Sequence, residues 1–265
     1  MSQAIYIPSR GRWGLVSTLD SIPEQLHKIT TIVCTPGELL EYRDYYGDDF
    51  RVVEATDATN IGEKRQWIMN HAKRKGVDCV LMLDDDLVFA KRRTDDPTKF
   101  AAMNSDYSDH AKMFRRLFEL LQGNAHVGLL AREGGNRITE HVVHCTRMMR
   151  VLGYHVPAFF KNKVDFTRLH LMEDFDVTLQ LLRAGRRNAV LCDYVHNQAG
   201  SNTAGGCSSY RTLEKQETAA MALHTLHPDF VKVVRKQTKS AWGGQERTDV
   251  TVAWKKAYAS SQGAE

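Results

Sequence analysis

Cys79-Val80-Leu81-Met82-Leu83-Asp84-Asp85-Asp86-Leu87 is the stretch on which the reading of this 265-residue chain turns. Five apolar residues in a row, without alternation, suit a strand covered on both faces, as in the middle of a parallel sheet. Three carboxylates follow without a break. Adjacent like charges repel, and a chain tolerates them best where a cation is bound. Hard oxygen donors suit Mg²⁺ or Mn²⁺, and such an ion gathers phosphate oxygens. Read as a continuation of the strand, the spacing turns Asp84 and Asp86 to one ligand and Asp85 away from it. The plainer alternative is an acidic turn. For the triplet alone the two readings weigh equally, and the buried strand before it favours the metal site.

Working outward, Ala4-Ile5-Tyr6-Ile7 is a short strand closed by Pro8, with Ser9-Arg10-Gly11-Arg12 as its loop. Helical patterns at Trp13–Leu26, Glu38–Tyr46 and Glu63–Lys75 alternate with strands at Thr30–Cys34, Phe50–Glu54 and Cys79–Leu83. The last of these helices carries Trp67, Ile68 and His71 on one face and stops at Gly76. This alternation predicts an α/β fold, a parallel sheet flanked by helices. Ligands of such sheets sit at the carboxyl ends of the strands, where Ser9–Arg12 and Asp84–Asp86 both fall. Arginine suits a bidentate grip on phosphate, which singles out Arg10 and Arg12. Lys64 and Arg65 open a helix whose free amides also favour anions. Each cation taken singly is as well explained as a surface residue. Around an acidic metal site, they supply what a nucleoside diphosphate requires.

The second half is less regular. Thr94–Asp109 reads as a long polar loop, Asp109–Gln122 as an amphipathic helix and Val127–Ala131 as a strand. Glu133–Arg137 is a polar loop, and Thr146–Phe160 reads as two strands joined by a turn at Gly153. A helix over Asp174–Ala184 precedes a strand at Ala189–Val195 that ends in His196. Asn197–Ser209 is rich in Gly, Ser and Asn and reads as a mobile loop. Helices at Leu213–Leu226 and Pro228–Lys236 and a strand at Arg247–Trp254 complete the chain. Glu173 and Asp174 open a helix, where the dipole alone favours acids; the functional alternative makes Asp174 a general base. His196 is either a structural histidine or a further metal ligand. His141 and His144 are set aside as a zinc pair, because no further ligands stand near them in sequence.

Composition narrows the class. Hydrophobic residues make up 42% of the chain and charged residues 26%, which suits a folded domain and not a disordered one. No apolar run approaches the roughly 18 residues needed to span a bilayer, and the first residues lack a secretory signal pattern. The five cysteines are scattered, odd in number and without a Cys-x-x-Cys pair, as expected for reduced thiols in a cytoplasmic protein. The net charge of +4 permits an anionic partner without demanding one. Residues 111–150 carry seven Lys and Arg against three acids, and residues 201–265 nine against six.

Together these motifs resemble the GT-A glycosyltransferases. Ile5-Tyr6-Ile7-Pro8-Ser9-Arg10 matches their first strand and its Pro-containing loop. Gly62-Glu63-Lys64-Arg65 matches a Gly-x-x-Arg helix start, and Asp84-Asp85-Asp86 the Asp-x-Asp element after an apolar strand. Glu173-Asp174 matches a Glu-Asp pair opening a helix that ends in Arg-x-Gly, here Arg183-Ala184-Gly185. His196 matches the histidine that often completes the metal shell. Within that fold the chain is most similar to the phage TET-associated glycosyltransferases, which add a sugar to 5-hydroxymethylpyrimidines in DNA. The Ile-Pro-Ser-Arg-Gly-Arg start, the Leu-Asp-Asp-Asp strand end, the Gly-Gly-Asn-Arg loop and the Asn/Gly-rich stretch after His196 carry that narrower likeness.

The resemblance implies a single GT-A-like domain with a mostly parallel sheet. Residues 1–93 would form a Rossmann-like nucleotide-sugar-binding half, 94–212 the acceptor and catalytic half, and 213–265 a C-terminal piece. It implies a UDP-sugar donor, UDP-glucose above others, held by Pro8, Ser9, Arg10, Arg12, Lys64, Arg65, Asp84 and Asp85. It implies Mn²⁺ or Mg²⁺ on Asp84, Asp86 and His196, with Asp174 as the base of an inverting reaction supported by Glu173. The acceptor would be DNA containing 5-hydroxymethylcytosine or a related base, bordered by Gly135, Asn136, Arg137 and Arg211. The expected location is the cytoplasm, the host's for a phage protein, with no membrane partner. Transfer to a glycan, lipid or protein, a nucleotidyltransferase activity, and nucleic-acid binding by an inactive transferase fold are the alternatives.

Overall fold

β1 (Gln3–Pro8), β2 (Thr30–Cys34), β3 (Arg51–Glu54) and β4 (Cys79–Leu83) lie side by side in a computed structural model that describes residues 1–198, 212–237 and 246–262. β1 pairs in parallel with both β2 and β4, and β2 with β3. Every residue of β2 and β4 is buried, which is why neither sequence alternates and why β4 is a continuous apolar run. The crossovers carry α1 (Leu39–Tyr46) and α2 (Ile61–Arg74). Asn60 caps α2 by accepting the Glu63 amide at 3.0 Å, while the Glu63 carboxylate accepts the Thr59 amide at 2.7 Å. These bonds satisfy amides that the helix itself leaves open. The expected helix over 13–26 is instead two short 3₁₀ segments, Ser17–Ser21 and Glu24–Ile29, separated at Pro23, which has no amide to continue a helix.

Six further strands complete a ten-stranded sheet: β5 (Leu87–Arg92), β6 (Phe100–Ala102), β7 (His126–Ala131), β8 (Val142–His144), β9 (Val151–His155) and β10 (Asn188–Gln198). The order is β3-β2-β1-β4-β9-β7-β10-β5-β6, with β8 against β10. β7 and β10 are parallel, and β9 runs against both β4 and β7. The sheet is thus mostly parallel and flanked by helices, as expected. α3 (Ser108–Gly123) buries Met113, Phe114, Leu117, Phe118 and Leu121 on the sheet, against Ile5, Leu81 and Val127 among others.

Three expectations for the second half change. β6 lies inside the segment read as a loop. The turn expected at Gly153 is the middle of β9: a side chain there would meet Leu81 Cδ2 at 2.9 Å and the Val127 carbonyl at 3.2 Å, so glycine is required by close packing and not by a turn. After β9 the chain enters α4 (Val156–Lys161), which Pro157 opens and His155 caps.

α5 (Glu173–Arg183) supports a C-terminal unit of α6 (Leu213–Leu226), a hairpin of β11 (Val231–Gln237) and β12 (Glu246–Val252), and α7 (Trp254–Ala259). The segment 228–236, expected to be helical, is largely β11, whose Val231, Val233 and Val234 favour a strand. Leu171, Phe175, Leu179 and Leu182 pack with Leu223, Phe230, Val231 and Val250 in one apolar cluster. Inside the interface the His227 ring meets Asp176 at 2.7 Å, both fully enclosed. No helix among the described residues is long and apolar enough to cross a membrane. Cys34, Cys79, Cys145 and Cys192 are free thiols.

Leu223 is fully buried in the α5–α6 cluster. Leu223→Ala should therefore lower stability by about 2–5 kcal/mol, seen as a lower urea midpoint with an unchanged slope. Met221→Ala, on the exposed side of the same helix, should stay within about 0.5 kcal/mol.

Candidate active site at the carboxyl edge of the sheet

β4 ends at Leu83 and β5 begins at Leu87, so Asp84, Asp85 and Asp86 form the turn between two strands. Strand alternation does not govern them, and the expected pairing of Asp84 with Asp86 against Asp85 is replaced by another division. Thr18 pins the turn: its hydroxyl donates to the Asp84 carbonyl at 2.6 Å and accepts the Leu87 amide at 2.8 Å. Asp85 points inward, accepting from Ser9 Oγ and from Arg12 Nη1, each at 2.5 Å. The same Arg12 nitrogen reaches Asp86 Oδ2 at 2.8 Å, and Gln198 Nε2 donates to that oxygen at 2.6 Å. Tyr42 ties the loop after β1 further, accepting the Arg12 amide at 3.1 Å and sharing a 2.7 Å hydrogen bond with Ser9 Oγ. Lys64 Nζ donates to the Ser9 carbonyl at 2.7 Å and to Thr35 Oγ1 at 2.9 Å. Burial pulls its pKa down to about 8. Arg10 donates to the Thr59 carbonyl at 3.2 Å. Pro8, Ser9, Arg10, Arg12, Lys64 and Asp85 are therefore brought together at one strand end.

Asp84 belongs to a second network. Arg65, buried at the start of α2, donates to Asp84 Oδ1 at 2.9 Å and to Glu173 Oε1 at 2.5 Å. Gly62 makes this reach possible: a side chain there would meet the Phe166 carbonyl at 2.6 Å and the Leu169 carbonyl at 3.0 Å. The start of α2 thus lies directly against the segment leading into α5. Met172, just before Glu173, has φ 62°, a left-handed conformation uncommon for a side chain of this size. Burial holds the Asp84 carboxyl up at about 6 against the pull of Arg65. Burial likewise raises Glu173, with neighbouring Asp174 adding to it. Asp174 is the one residue over 171–179 that is not buried. The remaining acid of this turn, Asp176, is committed to His227, Arg168 and Gln180.

His196 lies on β10 beside Phe89 and Ala131, fully buried, and neither ring nitrogen has a hydrogen-bond partner. Burial, with Arg150 and Arg147 adding to it, holds its pKa at about 3, so the ring is neutral, the form that ligates metals. Asp86 Oδ1 is likewise buried and unpartnered. Orphaned buried groups of this kind are rare in native folds. Yet among the described residues no three His, Cys, Asp or Glu side chains stand together as a ready cation cage. Asp84, the third expected ligand, is held by Arg65 instead. The donor set thus fits a divalent cation in part, through Asp86 and His196.

On the acceptor side, Gly135–Arg137 forms a single 3₁₀ turn after β7, with Gly135 buried and Asn136 and Arg137 exposed. Arg211 lies outside the described residues. Tyr42, Gln198, Arg147 and Arg150 escaped the sequence reading. Arg147 lies with Cζ 4.6 Å from the Phe175 ring centroid, and the Arg150 carbonyl accepts the Asp84 amide at 2.9 Å. The one signal for the two arginines was their place in the basic segment 111–150.

Comparison with known proteins bears on the family and the fold. The family described as TET-Associated Glycosyltransferase matches residues 3–206. A relative from Enterobacteria phage T6, Beta-glucosyl-HMC-alpha-glucosyl-transferase, is 24% identical over 253 residues, covering 88% of this chain and 83% of its own. Residues 1–349 of S. aureus TarS, solved in complex with UDP-GlcNAc, share the fold at a TM-score of 0.50 and 13% identity, over 84% of this chain and 67% of that one. A mycobacterial protein superposes at 0.52 with 11% identity, over 93% and 83%. The chain belongs to the TET-associated glycosyltransferase family and is a nucleotide-sugar glycosyltransferase of GT-A fold.

Proposed function

We propose that this chain transfers a sugar, glucose above others, from a UDP-sugar to the hydroxymethyl group of a modified pyrimidine in DNA, with inversion at the anomeric carbon. The observation that carries the reading is Asp174. It is the partly exposed carboxylate of an otherwise buried helix start, beside the Glu173–Arg65–Asp84 bridge. A primary alcohol is a poor nucleophile at neutral pH. Asp174 takes its proton as the alcohol oxygen bonds to the anomeric carbon, and the bond from that carbon to the diphosphate breaks, the electron pair leaving with UDP. Arg10, Arg12, Lys64 and Arg65 offset the charge that grows on the departing diphosphate. Asp84 and Asp85 hold the donor-side turn, Asp85 through Ser9 and Arg12. Asp86 and His196 would hold Mn²⁺ or Mg²⁺, which when bound supplies further positive charge to the diphosphate oxygens. Asn136, Arg137 and the Gly135 backbone border the acceptor.

The family membership and the name of the T6 relative support a glucosylated hydroxymethyl base in DNA as product. That relative is named for transfer to a glucosyl-HMC acceptor with an alpha product. A test therefore presents the enzyme with UDP-sugars and DNA carrying either hydroxymethylated or already glucosylated cytosine. The DNA is then digested to nucleosides for mass spectrometry and assignment of the anomeric configuration. The expected product is a hexose on the hydroxymethyl oxygen, inverted relative to the donor and formed only without excess EDTA. Retention of the donor's configuration would overturn the role of Asp174, and full activity in EDTA that of the cation. Asp174→Asn, which keeps the shape and removes the basic oxygen, should retain UDP binding by calorimetry and lose transfer by a factor on the order of 10² or more.

The raised Asp84 pKa sets a pH dependence. In the unfolded chain this carboxyl titrates near ~4; in the fold it titrates at about 6. Its contribution to stability is complete below the unfolded value and is lost as pH rises through 6. Asp84→Asn fixes the neutral form. Losing the charged partner of Arg65 carries its own cost, so the expected effect is a trend: the variant's melting temperature relative to the parent's should improve as pH rises from about 4 to 7.5. Transfer by the parent enzyme should fall as pH drops through about 6, where Asp84 loses the charge that faces Arg65.

A further inference from the structure

Six arginines lie between residues 111 and 150. Arg115 and Arg116 both reach Glu119 on the outer face of α3. Some basic residues elsewhere are paired in the same way: Arg93 with Asp95, Arg235 with Glu246, and Lys236 and Arg247 with Asp249. Arg132, Arg137, Arg147 and Arg150 differ. None of them makes an ion pair among the described residues; Arg147 and Arg150 both act on His196, whose carbonyl accepts the Arg132 amide.

Their backbones fix where they stand. The Arg132 amide donates to the His196 carbonyl at 2.9 Å, which places it at the end of β10. Arg137 closes the turn that begins at Gly135, whose own amide donates to the Arg132 carbonyl at 3.1 Å. Arg147 rests over Phe175, the residue after Asp174, and Trp254 backs that ring with a centroid separation of 5.6 Å. Arg150 is held nearer the donor side by its carbonyl on the Asp84 amide. Arg132, Arg137 and Arg147 are exposed. Arg132 and Arg137 keep solvated charges until an anion arrives, burial already strips water from part of Arg147, and a guanidinium suits a phosphate oxygen pair. The aromatic face under Arg147 restricts that side chain in advance, so less freedom is lost on binding.

We propose that Arg132, Arg137 and Arg147 form a phosphodiester-binding arc that holds the DNA backbone beside Asp174. The inference rests on the DNA-directed function proposed above. A base within a duplex must turn out of the stack to bring its hydroxymethyl group to Asp174. Contacts to the flanking phosphates hold the strand while it does so, without reading its sequence.

The test measures binding of hydroxymethylated DNA by fluorescence anisotropy across a salt series, together with steady-state kinetics. The parent and the R132A/R137A/R147A variant are compared, with melting temperatures to confirm that both are folded. Each phosphate contact removed should make the plot of log affinity against log salt shallower by about one, so the triple variant loses about three. Affinity should fall on the order of 10²-fold at moderate salt, and KM for DNA should rise with it. Arg147→Lys should keep more affinity than Arg147→Ala, a difference that survives even where the triple variant fails to fold. An unchanged salt slope and KM for DNA would overturn the arc. So would a rise confined to KM for the UDP-sugar, which would assign these arginines to the donor diphosphate. A parent enzyme that leaves hydroxymethylated DNA unmodified would overturn the functional reading and the arc together, whereas an active parent with an unaltered variant overturns the arc alone.

Discussion

Arg65 is buried between two carboxylates, Asp84 at 2.9 Å and Glu173 at 2.5 Å, that come from distant parts of the chain. Taking three charged groups out of water is costly, and removing one partner from such a cluster typically costs 3–5 kcal/mol because it strands the others. The arrangement survives because Arg65 cannot release its proton and both carboxylates contact it directly. One guanidinium therefore fixes the spacing between the donor-side turn and the helix that presents Asp174. Charge on Asp84 also acts on Glu173, which it helps to push upward. The donor and acceptor sides of the cleft share an electrostatic link before any ligand is bound.

That link works only if α2 and α5 are held rigidly against each other. Gly62 removes the side chain that would keep them apart. From the far side, the C-terminal unit clamps α5 through an apolar cluster and the enclosed Asp176–His227 contact. Asp176 and Asp174 occupy the same helical turn with opposite fates. One is consumed in holding the helix, and the other is left at the surface of the cleft. The carboxylates in Glu173-Asp174-Phe175-Asp176 were equally visible in sequence. What separates their roles is which face of α5 meets α6 and the β11–β12 hairpin.

The strands of the first ninety residues were legible because the signals for them are local: the continuous apolar run 79–83 became β4, and the strands read at 30–34 and 50–54 became β2 and β3, whereas the helix read over 13–26 did not form. Sequence reading failed where tertiary contact decides. Gly153 looked like a turn and is a point of close packing; Val231–Gln237 looked helical after Pro228 and is a strand paired with β12. The residues picked out at the strand ends do lie together, since a parallel sheet brings them to one edge, but they pair with one another differently from the expectation. The alternation argument assumed that Asp84–Asp86 extend the strand, whereas they turn. Arg12 consequently bridges Asp85 and Asp86, and Arg65 takes Asp84. Arg147 and Arg150 were hidden because nothing in the sequence sets residues 147–150 beside Phe175 and Asp84.

On the function proposed above, the division of charge that results would let one cleft accept two polyanions without confusing them. On its floor, Arg12 and Arg65 are each shared by two carboxylates, leaving Asp86 Oδ1 buried without a partner. A diphosphate approaching that floor meets carboxylates as well as arginines, so added positive charge at Asp86 and His196 favours its binding. On the rim, Arg132, Arg137 and Arg147 make no ion pair among the described residues. A phosphodiester chain is attracted there without any added ion. Asp174 sits at the boundary between the two regions, beside Phe175 that carries Arg147 and next to Glu173 that holds Arg65. Attack by an acceptor hydroxyl requires a base at that boundary, because there the alcohol and the anomeric carbon can be adjacent while their phosphates remain on opposite sides.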